Sequence, residues 1–373
     1  MKKKRIGVVI QEYGQIGGSE SFAFNLTERL ANFNVFEIHV FANEWEKTNS
    51  SIIFHKVPII KFPRWLKPIS FAYFASKAAQ KNNCEIIHSH DRIFNMDILS
   101  FHGIPHITWV KKIKKKYLSL FDRATVWIER KAFMNNDSIL ILPVSNQVKE
   151  ELLTIYNISE KCIDVCHPGI EIEKFSCSDK RVYREKIRKQ YNLSLNDNIL
   201  LFVGMNFEVK RLDLVLKAMA KLTSNIITSL KLLVVGKGNV KYYLKMAKDL
   251  GISENVIFTG VISNINEYYF ASDIFILPSQ FDTFGLVVLE AMASGLPVII
   301  SQMVGAKDII QSEINGIILP DNPTPINIAD VLKSLMNNNY RKSLSQKAKD
   351  TAQKYSWDNY VNKMITIYNN KAL

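Results

Sequence analysis

Short apolar runs alternate with stretches of helical periodicity, and the alternation restarts half-way along the chain. Ile6–Ile10 is such a run; after a glycine-bearing loop, Phe22, Leu26, Leu30 and Phe33 recur at helical spacing. Strand-like runs follow at Phe36–Phe41, Ile52–Val57, Glu85–His88, Ile98–Phe101 and Ile139–Leu142. In the second half they lie at Ile199–Val203, Leu230–Val235, Val256–Thr259, Asp273–Leu277 and Pro297–Ile300, with helices over Leu212–Leu222 and Val240–Leu250. Apolar runs without a polar face suit strands buried on both sides, so each half reads as a parallel sheet covered by helices. A chain of 373 residues is long for one core and suits two. The expectation is an α/β protein of two facing, Rossmann-like, doubly wound domains with an inter-domain cleft. The domains are placed at 1–177 and 178–356, joined by a linker at FSCSDK (175–180). Helices end the chain near 326–337, 340–354 and 357–369, and the last, in a segment running to 373, is placed back on the first domain.

The charge balance narrows the partners. There are 48 Lys+Arg against 35 Asp+Glu, a net +13, which favours anionic partners: nucleotides, phosphorylated glycans, anionic lipid or nucleic acid. No nucleic-acid-binding module is visible, so nucleic acid is not expected. Four cysteines are too few for a disulfide framework, and Cys162, Cys166, His167 and Cys177 lack the paired spacing of a zinc site. The first apolar run is five residues long and is followed by Gln11 and Glu12, too short for a signal segment. No later run approaches the ~18 residues of a membrane span. A cytoplasmic protein is expected, peripheral on the inner face of the plasma membrane.

The densest motif is FDTFGLVVLEAMASGLPVII (281–300). A strand feeds a loop holding Asp282, and a helix starts near Thr283–Gly285 and carries Glu290. Backbone N–H groups at such a start form an anion site. Eight residues along a helix is at most about 12 Å, so the two carboxylates can hold hydroxyls at either end of an elongated ligand with phosphates between them. A carboxylate on the apolar VVLEAMA face must be satisfied by something. The simpler readings are an N-cap for Asp282 and a lysine partner for Glu290.

In FVGMNFEVKRLDLVLKAM (202–219) a strand ends at Gly204 and a loop carries Lys210 and Arg211 to a helix start. These cations suit a diphosphate leaving group; as a bare pair they would be a solvated helix start. VVGKGN (234–239) places Gly236 after a strand, as a nucleotide approach or a plain turn. GQIGGSE (14–20) places Gly17 and Gly18 before the first helix, either to seat phosphates or to turn the chain. SFHG (100–103) puts His102 at a strand end, where it can meet a sugar, and HSHD (88–91) is a weaker HxH pair. No Asp-x-Asp occurs. Leaving-group charge is therefore assigned to Lys210, Arg211 and helix-end amides, with no metal and no other cofactor.

These residues resemble the retaining glycosyltransferases of family 4, of GT-B architecture. The likeness rests on the GG loop, FHG, HPGIEIEKF (167–175), the VG…KR stretch, VGKG, SDIFILPSQFDTFGLVVLEAMASG (272–295), GLPV and a terminal YSW (355–357). The layout is most like bacterial lipopolysaccharide-core glucosyltransferases. The resemblance implies Lys210 and Arg211 at the donor pyrophosphate and Glu290 at the ribose. It implies Asp282 and the amides of Phe284, Gly285 and Leu286 at sugar and phosphate, His102 near the donor sugar, and the Ile262 backbone near the base. Asp282 stands where the family usually has Glu, and VGA (304–306) replaces a more usual Gly-Gly. The implied chemistry is metal-free, front-face transfer with retention, the leaving phosphate helping to deprotonate the acceptor. No obvious acid–nucleophile carboxylate pair is visible.

WVKKIKKKYLSLFDRATVWIERKAF (109–133) and KFPRWLKP (61–68) mix cations with aromatics. They read either as a membrane-facing surface or as an amphipathic helix with a Lys-rich outer face. The leading function is hexose transfer from a UDP-sugar, UDP-glucose among the candidates, to a glycan or glycolipid acceptor, namely a lipopolysaccharide core or other cell-surface glycan. The alternatives are a nucleotide-sugar epimerase or hydrolase, and a non-catalytic nucleotide-sugar binder.

Overall fold

The computed structural model describes residues 3–46, 51–134, 138–177 and 179–371. Ser178, inside the proposed linker, and the last two residues of the terminal segment lie outside them. The chain divides into two units, Met1–His167 with Asp358–Leu373, and Pro168–Trp357.

The first unit holds a six-stranded parallel sheet in the spatial order Ile53–Lys56, Glu37–Ala42, Arg5–Val9, Ile86–Ser89, Ile98–Phe101, Leu140–Pro143. Val8 lies opposite Val40 on one side and His88 on the other. Ile6, Val9, Val40, Ile98 and Ile141 are fully buried, the outcome expected of runs with no polar face. Helices Gly18–Phe33, Leu66–Lys81, Leu120–Met134 and Asn146–Tyr156 belong to this unit. The terminal helix Trp357–Lys371 is tied to it: the Tyr368 hydroxyl is 2.6 Å from His88 Nδ1, and the Tyr360 ring meets Phe22 edge-on at 5.1 Å.

The second unit repeats the plan. Its sheet runs Val256–Gly260, Leu230–Lys237, Asn198–Met205, Ile274–Leu277, Val298–Ile300, Ile317–Ile318, all parallel. Leu200, Phe202, Leu232, Val234, Ile276 and Ile299 are fully buried with helix residues Leu212, Val215, Met219 and Leu332. Each such side chain contributes roughly 1.5–3 kcal/mol by leaving water. Arg188 is also almost completely enclosed, and its charge is met by Asp273 at 3.3 Å and the Asp197 carbonyl at 2.9 Å.

The HPGIEIEKF segment falls almost wholly in the second unit, so the structural division lies ten residues before the boundary read from sequence. Ile170 bridges Ser356, and Phe175 packs against Tyr269 at 5.7 Å.

Both sheets have the order 3-2-1-4-5-6. Connections leave the first and fourth strands in opposite directions, which opens a crevice at their C-terminal ends. In the second unit that crevice lies past Met205 and Leu277, and in the first past Val9 and Ser89.

Candidate active site

Two loops flank the crevice of the second unit. The first turns sharply after Met205: Asn206 is left-handed at φ 65°, its N–H donating to the Lys237 carbonyl at 2.8 Å. It ends at Arg211, also left-handed at φ 59°, where the helix Leu212–Met219 begins. The second loop is laced to the first, because Gln280 N–H donates to the Val209 carbonyl at 2.8 Å and Ser279 Oγ–H to the same oxygen at 3.2 Å. This lacing brings Lys210 Nζ to 2.6 Å from Asp282 Oδ2, both side chains under one-fifth exposed.

Glycine 204 makes room for that lysine. A Cβ there would lie 2.9 Å from Lys210 Cγ, so the lysine stem rests on the bare backbone. Gly236 sits opposite Gly204 in the register with φ 124°, and a Cβ on it would lie 2.0 Å from the Gly204 carbonyl oxygen. Its neighbour is therefore the protein's own backbone, beneath the crevice floor.

The helix Leu286–Ala293 starts from Gly285, left-handed at φ 86°, with no side-chain cap. Carbonyls just before it are already used: Asp282 accepts from Gly305 N–H at 3.0 Å and Phe284 from Ala306 N–H at 2.7 Å. Thr283 is half-buried beside them. An uncapped helix start beside an ammonium is suited to an anion. One turn further, Glu290 Oε2 accepts from the Tyr269 hydroxyl at 2.8 Å. Burial raises the Glu290 pKa, opposed by that hydrogen bond and by Lys174. Ile262 lies in the turn between Val256–Gly260 and the helix Ile265–Ala271, half-buried.

Arg211 does not converge with Lys210. Its Nε donates to Asp213 Oδ1 at 3.1 Å, and it lines a cavity of about 620 Å³ with Asn206, Asn239, Tyr242 and Gln280, between the same two loops. The left-handed backbone at 211 turns consecutive cations onto different carboxylates.

In the first unit Gly17 is extended at φ −135° and the helix Gly18–Phe33 follows. A Cβ on Gly17 would lie 2.4 Å from Glu20 Oε2, so that carboxylate occupies the helix start. His102 follows the strand Ile98–Phe101 and meets His90 edge to edge, the ring planes 9° from parallel and His90 Nδ1 2.9 Å from His102 Nε2. Phe22 packs at 4.8 Å from the His102 ring. Burial pushes the His102 pKa down to about 4. A cavity of about 250 Å³ is lined by Ser19, His90, Asp91, Arg92, His102 and Gly103. Both nitrogens of His88 are taken, by Tyr368 and by Ser100 Oγ at 2.8 Å. Among the described residues no group of three or more His, Cys, Asp and Glu is placed to hold a metal ion.

The sequence reading missed Tyr269 and Gln280, and took His90 only as half of a weaker HxH pair. Tyr269 had a signal: a carboxylate on an apolar helix demands a buried donor, and YYF in the preceding helix supplies one. Gln280 acts through its backbone, for which the sequence holds no signal.

Residues 16–174 match the family described as Glycosyltransferase Family 4, and residues 183–354 that described as Glycosyl transferases group 1. The chain is a glycosyltransferase whose two halves match these two family models. It is 27% identical to an uncharacterized glycosyltransferase of Methanocaldococcus jannaschii, over 98% of this chain and 97% of the relative. Identity is 25% to the N-acetyl-alpha-D-glucosaminyl L-malate synthase of Bacillus anthracis, again over 98% and 97%. Among solved structures this glycosyltransferase superposes on WaaG, a glycosyltransferase involved in lipopolysaccharide biosynthesis, with TM-score 0.80 and 19% identity, covering 97% of this chain and 99% of that one. Anabaena HepE, solved in complex with UDP and glucose, gives TM-score 0.72 at 15% identity over 98% and 100%. The paired six-stranded sheets are thus the GT-B architecture.

Proposed function

We propose that this glycosyltransferase moves a hexose from a UDP-sugar to a hydroxyl of a lipopolysaccharide core or other cell-surface glycan, with retention and without a divalent metal ion. The observation that carries the donor half is the Lys210–Asp282 pair beside an uncapped helix start at the switch point of the second sheet. A diphosphate bound there takes the helix amides and draws the Lys210 ammonium onto its oxygens. Asp282, released from part of its pairing, is then an acceptor for a sugar hydroxyl. Glu290, oriented by Tyr269, takes the ribose hydroxyls. The bond from the anomeric carbon to the phosphate oxygen breaks while the acceptor oxygen bonds to that carbon on the same face. The acceptor proton passes to the departing phosphate, and Lys210 stabilises the charge that develops.

Support for UDP comes from the HepE likeness, and support for a surface glycan from WaaG. Because the Bacillus anthracis relative is named for L-malate, acceptor assays should include small hydroxylated anions as well as glycolipids. The test is a panel of donors and acceptors with the product's anomeric configuration read by NMR. Acceptor-dependent release of UDP with retained configuration is expected. Equal release without any acceptor would mean a hydrolase, and binding without release a non-catalytic protein. Glu290→Gln is expected to raise the donor KM about tenfold with kcat little changed, since hydrogen bonds to a charged group are worth ~1.5–3 kcal/mol. An unchanged KM would remove Glu290 from the ribose site.

The membrane half rests on the first unit's surface. Phe62 is 87% exposed, Tyr117 fully and Leu120 65%, among Lys61, Arg64, Lys111, Lys114, Lys115 and Lys116. Trp109–Ile113 is a π-helical turn, and only the helix Leu120–Met134 buries an apolar face, through Val126, Ile128, Ala132 and Phe133. Exposed rings among cations suit an anionic lipid interface on the cytoplasmic face of the plasma membrane. No helix among the described residues is long and apolar enough to cross a membrane. Replacing Lys114, Lys115 and Lys116 by Gln is expected to weaken binding to anionic vesicles about a hundredfold, at ~1 kcal/mol per cation. Rising salt should weaken wild-type binding as well. Equal binding to neutral and anionic vesicles would contradict an electrostatic contribution.

A further inference from the structure

We propose that His90 is a positioning residue for His102: the hydrogen bond between their rings fixes which nitrogen of His102 carries its proton and so what that ring offers a sugar. The inference rests on the transferase reading for its kinetic arm only.

The two rings lie on neighbouring parallel strand ends, edge to edge, with planes 9° from parallel, centroids 5.2 Å apart and His90 Nδ1 2.9 Å from His102 Nε2. Burial lowers both pKa values, that of His102 to about 4, so each ring is neutral near pH 7 and carries one N–H. One of those two protons lies in the shared bond. If His90 Nδ1 donates it, His102 Nε2 is the acceptor and the His102 proton must sit on Nδ1; His90 Nε2 is then bare. If His102 Nε2 donates it, the roles invert: His90 Nε2 carries a proton and His102 Nδ1 is bare. The pair therefore has two states, and the outer nitrogens always present one donor and one acceptor.

The surroundings choose between them. His90 Nε2 is buried and has no hydrogen-bond partner among the described residues, while His90 lines the cavity it shares with His102, Ser19 and Gly103. An orphaned buried N–H is the rarer and costlier of the two defects, because a bare lone pair can accept from whatever enters. The favoured state leaves His90 Nε2 as an acceptor and gives His102 an Nδ1–H donor. A carbohydrate hydroxyl in the cavity that donates to His90 Nε2 locks this state further. Low basicity suits the pair to orienting hydroxyls and not to removing their protons. His88 cannot substitute, since both its nitrogens are engaged elsewhere.

The sequence motif HSHD gains a role by this route. The pair that reads as HxH along one strand works across strands, from His90 to His102.

The test combines nitrogen-15 NMR of the histidine side chains with kinetics on the full chain. Wild-type His102 is expected as the Nδ1–H tautomer. His90→Phe should release it to a mixture dominated by Nε2–H, and lower kcat with UDP-glucose about tenfold at little-changed KM. His90→Asn, whose amide can still donate from the Nδ1 position, should recover most of the activity and of the Nδ1–H signal. A wild-type His102 protonated at Nε2 would overturn the proposal. So would a folded His90→Phe protein with unaltered tautomer and turnover. Should the wild type transfer no sugar at all, the transferase reading fails, while the tautomer measurement still decides the proposal by itself.

Discussion

Lys210→Ala is expected to lower turnover at least about tenfold and up to about a thousandfold, the range found when one group that meets developing charge is removed from a preorganised site. The reason is specific to the geometry. Lys210 is the cation that converges on Asp282 at the helix start, whereas the adjacent Arg211 is turned onto Asp213. Arg211 is therefore not placed to compensate, and Arg211→Ala should cost less turnover than Lys210→Ala. The fold should survive the loss, because Asp282 is 17% exposed and water can reach the orphaned carboxylate. Single-turnover rates with saturating donor, together with a thermal melt, separate the two effects. A folded Lys210→Ala protein with unchanged turnover would reject the leaving-group role.

The second large effect is on stability. Gly236→Ala places a methyl 2.0 Å from the Gly204 carbonyl oxygen at a φ of 124°, which L-residues rarely adopt. Strain of that kind and overpacking each cost ~1–3 kcal/mol, so a loss of about 3–5 kcal/mol is expected in the second unit. Gly18→Ala is the control. Nothing lies within 4 Å of its Cβ, and it opens the first helix, so a neutral effect or a gain of ~0.4–1 kcal/mol is expected. Denaturant midpoints at unchanged slope would measure both. Equal midpoints for wild type and Gly236→Ala would mean that the two strands do not approach as closely as described.

The contrast between these glycines shows where sequence reading reaches and where it stops. Apolar runs such as Asp273–Leu277 and Pro297–Ile300 marked the strands Ile274–Leu277 and Val298–Ile300 to within a residue, because a strand buried on both faces permits no polar interruption. The edge strand Ile317–Ile318 escaped notice since two residues carry no period. The crevice loops were legible as strand-to-helix junctions bearing charge. What those charges touch was not, because a left-handed Arg211 is set by loop closure and has no residue signature. Gly236 read as a nucleotide approach or a plain turn, and the close backbone contact it makes is with Gly204, its neighbour in the parallel register. His90 and His102 lie twelve residues apart in sequence, and only the pairing of adjacent strands makes them partners. Likewise Ile172, before the linker, and Phe175, its first residue, are buried in the second unit.

Calorimetric titration of the folded protein with UDP-glucose, in buffer containing excess chelator, probes donor capture and metal independence together. A saturable, one-to-one heat that survives chelation and is strongly reduced in Lys210→Ala is the predicted outcome. No heat from UDP-glucose, nor from guanosine or adenosine diphosphate sugars, would contradict metal-free capture of a nucleotide diphosphate at this switch point.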